Sequence, residues 1–370
     1  MKMKKLVSGI LVLCMLFGMV AVFAACGDTT TDTNTNDNTT NTGDTTDTND
    51  TNNATDGEKD ELIKDLQVAS NQSTDYPHHK VLEWVAKELE TRTNGRYTMT
   101  IFPDGQLGDQ KASLELTQSG AVDMCITNST IMESYNSDYA ILSTPYLFDS
   151  DEHIRAVYSS DVLDDLFYST ADEGFVVATP LATGSRNIFC KKEVRSPEDL
   201  SGMKFRVMQS DTMVTMLELM GATGVPMSAA EQYSAMQQGV VDGAETNPFD
   251  YISKKYYEVC PVFSYTQHMY DTNFIIVATA TLDAMSEEDR GIFEEIMKEA
   301  AEKEFEFWDA AVEDALETAK DLDITWVEDV DKEAFSSNFT DFQQEIANRS
   351  DATKAIYDAI KEMSTSGADA

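Results

Sequence analysis

The feature that most constrains the fold is an alternation of short apolar strands with amphipathic helices, which occurs twice along the chain. In its first occurrence, predicted strands at 66–69, 97–101 and 122–126 are separated by a helix that begins at Pro77 and a helix that ends at Gly120. Strands that alternate with helices in this way are typical of a parallel sheet covered by helices on both faces.

The same order restarts in the second half of the chain. A predicted strand at 203–207 is followed by a helix through 216–220, a helix at 228–238 and a strand at 240–241 that runs into Asp242-Gly243. A length of 370 residues also suits two domains. The sequence therefore predicts an α/β protein built from two lobes.

One segment departs from this alternation and predicts a very long helix. Residues 286–322 contain a single glycine, Gly291, and no proline, and their apolar residues recur at steps of three to five. At 1.5 Å per residue such a helix is roughly 50 Å long, which exceeds the diameter of one small lobe. We expect it to run across both lobes, with two helices broken near 302–304 as the alternative.

The N-terminus has the features of a secretion signal. A basic segment at 2–5 precedes an apolar run at 6–22, and Phe23-Ala24-Ala25-Cys26 resembles the lipobox of bacterial lipoproteins. We predict that residues 1–25 are a signal peptide and that Cys26 is lipidated, which would anchor the protein outside the cytoplasm on the cell membrane. An ordinary signal peptide, with Cys26 incidental, is the alternative.

A polar stretch follows the predicted anchor. Residues 29–55 are almost wholly Thr, Asn, Asp and Gly, so they cannot bury enough apolar surface to offset the chain entropy of folding. Residues 26–60 are therefore predicted to be a disordered tether between the anchor and the folded part. An O-glycosylated stalk would produce the same arrangement.

The charge of the chain excludes several classes of partner. The sequence has 27 Lys and Arg against 66 Asp and Glu, a formal net charge of −39. Such a chain is repelled by the phosphates of nucleic acids and by anionic lipid headgroups. We therefore predict no nucleic-acid partner and no membrane attachment other than through a lipid anchor.

No pattern in the sequence indicates catalysis, a metal or a cofactor. There is no Gly-x-Ser-x-Gly, no phosphate-binding loop and no Gly-x-Gly-x-x-Gly, and the four histidines do not have a metal-ligand spacing. Cys125, Cys190 and Cys260 are widely separated and are predicted to be buried free thiols. We expect a protein that is not an enzyme and that has no cofactor.

Two arginines within apolar strands indicate the binding of an anion instead. Arg206 lies between Phe205 and Val207, and Arg186 precedes Asn187-Ile188-Phe189. At a strand end beside a cleft, the planar fork of an arginine can bind a carboxylate with two hydrogen bonds. The alternative is that each arginine lies on a solvated strand face and pairs with a neighbouring Asp or Glu.

The order of several short motifs extends this interpretation. Phe102-Pro103-Asp104-Gly105-Gln106-Leu107-Gly108 resembles the F-P-x-G-Q-L-G turn of the solute-binding proteins of TRAP transporters, the DctP family. Further segments resemble that family in the same order along the chain: 120–124, 145–148, 184–187, 197–207, 226–237 and 239–245.

The resemblance implies a two-lobed Venus-flytrap receptor that captures an organic acid and delivers it to the membrane subunits of a TRAP transporter. In this family an arginine at the position of Arg206 binds the ligand carboxylate, and one at the position of Arg186 assists. The family's asparagine after Asp-Gly-x-Glu is displaced here, because the chain reads Glu245-Thr246-Asn247. We therefore expect Thr246 or Asn247 to contact the ligand.

The first lobe is expected to contribute polar side chains at its strand ends. These are Asn71, Gln72, His78, Asn128 and Ser129, with hydrogen bonding to the local backbone as the alternative role. Ser228-Ala229-Ala230 occupies the place where family members often have an aromatic residue that packs on the ligand. A different or bulkier ligand than a four-carbon dicarboxylate would fit such a site.

The resemblance also implies domain boundaries and a mechanism. Lobe 1 would comprise 61–183 and 272–311, and lobe 2 would comprise 184–271 and 312–366, with hinges near Thr183 and at 271–273. Hexuronates such as glucuronate or galacturonate are the favoured ligands, with a sialic acid or a dicarboxylate as alternatives. A ligand-presenting sensory module and a secreted enzyme acting on sugar acids are the competing functions.

Overall fold

A computed structural model of the chain describes residues 60–366. The predicted signal peptide, Cys26 and nearly all of the predicted tether lie outside these residues. Within residues 60–366, no helix combines the length and the apolar character that crossing a membrane would require.

The described residues contain nine strands in one sheet. Their spatial order is β2-β1-β3-β8-β4-β7-β5-β6, with β9 paired to β8. The strands are β1 (Lys64–Ala69), β2 (Tyr97–Phe102), β3 (Met124–Asn128), β4 (Phe175–Cys190), β5 (Lys204–Val207), β6 (Thr223–Pro226), β7 (Gly243–Thr246), β8 (Val262–Ala278) and β9 (Thr325–Val327).

The helices follow the predicted alternation in both halves. They are α1 (Pro77–Arg92), α2 (Gln110–Gln118), α3 (Ser129–Met132), α4 (Asp151–Tyr158), α5 (Asp164–Tyr168), α6 (Asp211–Leu219), α7 (Ala229–Gln237), α8 (Pro248–Ser253), α9 (Thr279–Ala284), α10 (Glu287–Ala319), α11 (Lys332–Ser336), α12 (Thr340–Ala347) and α13 (Asp351–Ser366). Short 3₁₀ turns connect several of them. The α/β class is therefore confirmed.

The sheet is mixed rather than purely parallel, which corrects the sequence prediction. β1 pairs in parallel with β2 and β3, and β5 pairs in parallel with β6 and β7. β4 and β8 are antiparallel to each other and to β7 and β3 respectively. The reason is that β4 and β8 run in opposite directions across the two halves of the sheet. In the first half β8 is therefore antiparallel to β3, and in the second half β4 is antiparallel to β7.

The β4–β8 pair is irregular where it passes between the halves. Its register shifts between Ala182 and Ser185, and the Thr183 hydroxyl donates to the carbonyl of Asp271 at 3.0 Å. Gly184 has φ +64°, a backbone conformation that favours glycine. The irregular segment coincides with the two predicted hinges.

The predicted strand at 240–241 is wrong. These residues lie in the turn after α7, where the Val240 amide donates to the carbonyl of Ala235 and the Val240 side chain is 56% exposed. β7 begins only at Gly243. Two adjacent valines supply β propensity but are too few to establish a strand when the helix C-terminus uses their backbone.

The long helix is confirmed as one continuous element of 33 residues, so the alternative of a break near 302–304 is wrong. The Ser286 hydroxyl caps it by accepting from the amide of Asp289 at 3.1 Å. Its N-terminal part packs against α1, and it also packs against β4 and α8. It buries Phe293 in the first half of the molecule and Ala319 in the second, and so crosses between them.

The three predicted thiols pack in the apolar core. Cys125, Cys190 and Cys260 are all buried and free, as predicted. Burial raises the pKa of Cys125 and Cys260 to about 12, so both remain protonated at neutral pH.

Candidate ligand-binding cleft

A cavity of about 720 Å³ lies where strand ends from both halves of the sheet meet. The loop after β1 and the end of β3 form one wall, and the ends of β5 and β7 form the opposite wall. The central segments of β4 and β8 contribute Arg186 and Asp271 between them. Of the residues predicted for the site, the cavity is lined by Asn71, Gln72, Asn128, Arg186, Arg206, Thr246 and Asn247.

Arg206 is a buried cation without a carboxylate partner among the described residues. Its side chain is on β5 and the residue is only 5% exposed. Its Nε donates to the carbonyl of Met227 at 3.0 Å, and its two terminal nitrogens donate to no atom of the described chain. The register explains this, because Arg206 faces Ala244 of β7 across the sheet. The alternative of a pairing with a neighbouring acid is therefore wrong for Arg206.

Burial lowers the pKa of Arg206 to about 10, with the positive charge of Arg186 adding to the effect and Glu245 opposing it. The guanidinium is still charged at neutral pH. A buried charge is expensive unless it is paired. The energetic cost of leaving Arg206 unpaired is what an anionic ligand would relieve.

Arg186 is equally buried, but its charge is paired. Its Nε donates to Oε2 of Glu245, and its Nη2 donates to Oε1 of the same carboxylate at 2.9 Å. Its Nη1 lies 3.5 Å from Oδ2 of Asp271. Burial by itself lowers the pKa of Arg186, but these two carboxylates outweigh burial and hold the pKa above its usual range. Most of the fork of Arg186 is therefore already occupied.

The pKa of Glu245 is shifted in the opposite direction to that of Arg186. Burial by itself raises its pKa, but Arg186 and His268 outweigh burial and lower the pKa to about 2. Glu245 is therefore a carboxylate throughout the neutral range, and it holds Arg186 in place.

Thr246 and Asn247 both line the cavity but differ in what they can offer a ligand. The Asn247 Oδ1 caps α8 by accepting from the amide of Asp250 at 2.8 Å. This fixes the carboxamide and leaves Nδ2 without an acceptor among the described residues. The Thr246 hydroxyl donates to Oδ2 of Asp250 at 3.4 Å. Asn247 is thus the better candidate for a ligand contact.

The cavity wall formed by the loop after β1 and the end of β3 contains predicted residues with and without hydrogen-bond partners. The Asn128 carboxamide is engaged, because Nδ2 donates to Gln110 at 2.9 Å and Oδ1 accepts from the amide of Ile131 and the hydroxyl of Thr130. Asn71 also lines the cavity, and its buried Oδ1 accepts no hydrogen bond from the part of the chain that the structure describes. Gln72 lines the cavity as well.

Two predicted residues do not line the cavity, and the expectation that they face it is wrong. His78 is fully buried beneath α10, where its ring stacks on Trp308 at 5.8 Å and its Nε2 lies 3.5 Å from Oε1 of Glu304. The hydroxyl of Ser129 hydrogen-bonds that of Ser143 at 2.8 Å inside the core. Both lie in the first turn of a helix, and their side chains contact buried residues instead of the cavity.

The sequence analysis missed several lining residues. Asp271 and Gln232 are buried polar residues on the cavity wall, and the aromatic side chains there are those of Tyr76, Phe249 and Tyr256. Asp271 lies in the polar middle of β8, next to Thr272 and Asn273, so it lacks the apolar surroundings that identified Arg206. The aromatic residues come from distant segments, and no local pattern brings them together.

Within residues 60–366, no group of three or more His, Cys, Asp or Glu side chains is arranged to hold a metal ion. The polar groups of the cavity instead combine one unpaired guanidinium, a free carboxamide donor and several acceptors. A two-lobed α/β fold with such a cleft is that of a substrate-binding receptor.

The model of the family described as bacterial extracellular solute-binding protein, family 7 (DctP) matches residues 68–350. The chain belongs to this family, whose members work outside the cytoplasm. It is 34% identical to the uncharacterized protein YiiZ of Salmonella typhimurium, over 81% of this chain and 88% of the relative.

Two solved structures are close in fold. A TRAP periplasmic solute-binding protein of Anaerococcus prevotii with bound α/β-D-glucuronate matches with a TM-score of 0.78 and 34% identity, over 81% of this chain and 98% of that one. One from Xanthobacter autotrophicus with bound β-D-galacturonate matches with a TM-score of 0.77 and 27% identity, over 80% and 99%. These matches confirm the two-lobed α/β class that the sequence predicted for this chain.

Proposed function

We propose that this protein captures a hexuronate, such as glucuronate or galacturonate, and delivers it to the membrane subunits of a TRAP transporter. The observation that carries the proposal is the unpaired, buried guanidinium of Arg206 on the cavity wall. A ligand carboxylate would replace solvent at this charge with a bidentate, shielded pair. The Nδ2 of Asn247 would donate to the same end of the ligand.

The mechanism is binding, closure and delivery. The lobes, 61–183 with 272–311 and 184–271 with 312–366, would move about the irregular segment of β4 and β8. A ligand that contacts both walls favours the closed state by the difference between its affinities for the closed and open states. No step in this sequence breaks a bond of the ligand, and the role proposed is that of a receptor and not of an enzyme.

Attachment to the cell membrane would be through Cys26. The lipobox-like sequence and the polar stretch at 29–55 support this part of the proposal. The stretch would hold the folded part away from the membrane and let it reach the transporter.

A thermal-shift screen of the purified protein tests the proposal. Ligands that bind only the folded state raise the unfolding midpoint by mass action, so micromolar ligands are detected at millimolar concentration. We expect D-glucuronate or D-galacturonate to raise the midpoint and neutral glucose and galactose to leave it unchanged. A shift with the neutral sugars, or none with any organic acid, would contradict the proposal. A shift with sialic acid or succinate alone would retain the receptor and replace the ligand.

A further inference from the structure

A carboxylate of the proposed lobe 1 is hydrogen-bonded to the proposed lobe 2 beside the cavity. Glu133 follows α3 as its C-cap, and its Oε2 accepts from the hydroxyls of Ser210 and Thr212 at 2.8 Å each. Ser210 is the N-cap of α6, and its hydroxyl also accepts from the amide of Met213 at 3.4 Å. We call Glu133, Ser210 and Thr212 the interlobe clasp.

The surroundings of the clasp favour negative charge on Glu133. Its Oε2 lies at the N-terminal end of α6, where the helix dipole stabilises an anion. Burial raises the pKa of Glu133, and hydrogen bonds from Thr212, Ser210 and Ser143 act against that rise. Hydrogen bonds to a charged acceptor are stronger than those between neutral groups. The two bonds from lobe 2 are therefore of the stronger kind.

A second contact joins the proposed lobes at the same place. Met208 follows β5 directly, and its Sδ accepts from Nδ2 of Asn128 at 3.5 Å and lies 3.9 Å from the Oγ1 of Thr130. Within the described part of the chain, the cavity is lined by Asn128, Thr130 and Met208 but by no member of the clasp. The clasp can therefore act on the position of the lobes without touching a ligand.

We propose that Glu133 is a positioning residue that holds the closed state by hydrogen bonds to Ser210 and Thr212 across the cleft. The inference rests on the proposed capture of a hexuronate by closure and extends it. Opening the lobes would carry Ser210 and Thr212 away with β5 and break both bonds to Glu133. The apparent affinity of a ligand depends on the population of the closed state, so the clasp strengthens the binding of every ligand by the same factor.

Glu133→Gln tests the clasp, because it removes the charge and keeps the size of the side chain. By isothermal titration calorimetry we expect the affinity for each hexuronate that the wild type binds to fall at least about fivefold. Glu258→Gln is the matched control, because Glu258 accepts from the hydroxyl of Tyr233 at 2.8 Å within lobe 2. The control should retain the wild-type affinity.

Thr212→Val removes one donor of the clasp and keeps the shape of the side chain. Because Glu133 and Thr212 act through one hydrogen bond, the loss of affinity in the double variant should be smaller than the product of the two separate losses. A contact that persists in the open state would behave differently. Its removal would lower the free energy of unfolding of the ligand-free protein, measured with urea, and leave the affinity unchanged.

Wild-type affinity in a folded Glu133→Gln protein would overturn the inference and leave the proposed function intact, as would losses that multiply in the double variant. Should Glu133→Gln fail to fold, Thr212→Val alone decides, and wild-type affinity is again the contrary result. If the wild type binds no hexuronate, the proposed function fails and the inference that rests on it fails too, so the two failures are distinguishable.

Discussion

Two arginines that line the same cavity differ in what they are bonded to. Arg186 and Arg206 are each 5% exposed and lie on neighbouring parts of one sheet, yet Arg186 is held by Glu245 and Asp271 whereas Arg206 contacts no carboxylate within residues 60–366. The pairing of strands creates the difference. Glu245 of β7 lies beside the segment of β4 that carries Arg186, whereas Arg206 of β5 faces Ala244. One guanidinium is therefore paired within the fold, and the other is left without a carboxylate partner among the described residues.

Removal of Arg186 should cause the largest change in stability. In Arg186→Met the carboxylate of Glu245 remains buried without its main partner, and breaking a buried pair in this way costs about 3–5 kcal/mol. Urea unfolding of the ligand-free protein measures the loss. Arg290→Met, which removes an exposed partner of Glu294, is the control and should cost less than about 1 kcal/mol. A loss for Arg186→Met as small as that of the control would mean that the two arginines do not differ as described.

Removal of Arg206 should abolish binding without weakening the fold. In Arg206→Met we expect the affinity for D-glucuronate to fall at least about 100-fold, or about 2.7 kcal/mol. The free energy of unfolding should stay the same or rise, because an unpaired buried charge has been removed. Calorimetry and urea unfolding on the same sample measure both quantities.

Arg206→Lys refines that test. Lysine keeps the charge but not the planar fork, so its affinity should lie between those of the wild type and Arg206→Met. Wild-type affinity in Arg206→Met would contradict the proposed role of Arg206 and with it the proposed function.

Lowering the pH should remove the stability contributed by the pair of Arg186 and Glu245. It should leave the effect of Arg206→Met on the free energy of unfolding unchanged. The folded pKa of Glu245 is about 2, below its ordinary value of 4.5, so its contribution is complete above about pH 4.5 and is lost as the pH falls toward 2. We expect the difference in unfolding free energy between the wild type and Glu245→Gln to shrink over that window. The corresponding difference for Arg206→Met should stay constant, since that residue remains charged there. A Glu245→Gln difference that does not change with pH would contradict the depressed pKa.

The smallest expected effect is that of salt concentration on ligand binding. Buried ion pairs are screened much less than exposed ones, so raising NaCl from about 0.05 M to about 0.5 M should weaken D-glucuronate binding less than about threefold. A much steeper dependence would mean that the ligand carboxylate binds exposed charges at the rim, such as Lys111, rather than Arg206.

Much of the fold could be predicted from the sequence, because periodicity and caps are local properties. The helix at Glu287–Ala319 followed from its spacing of apolar residues and the absence of proline, and the strands at Tyr97–Phe102 and Lys204–Val207 followed from their apolar pattern. The antiparallel direction of β4 and β8 did not follow, because strand direction depends on how distant segments connect.

The candidate site shows the same difference between what local sequence predicts and what distant contacts decide. The sequence by itself identified Arg186 and Arg206 as charged residues in apolar strands, and its resemblance to the DctP family indicated Thr246 or Asn247. It did not determine that His78 and Ser129 turn into the core, that Asp271 faces the cavity, or which arginine is paired. Those outcomes depend on strand register and helix orientation, which are set by contacts between residues far apart in the chain, and so only the tertiary structure decided them.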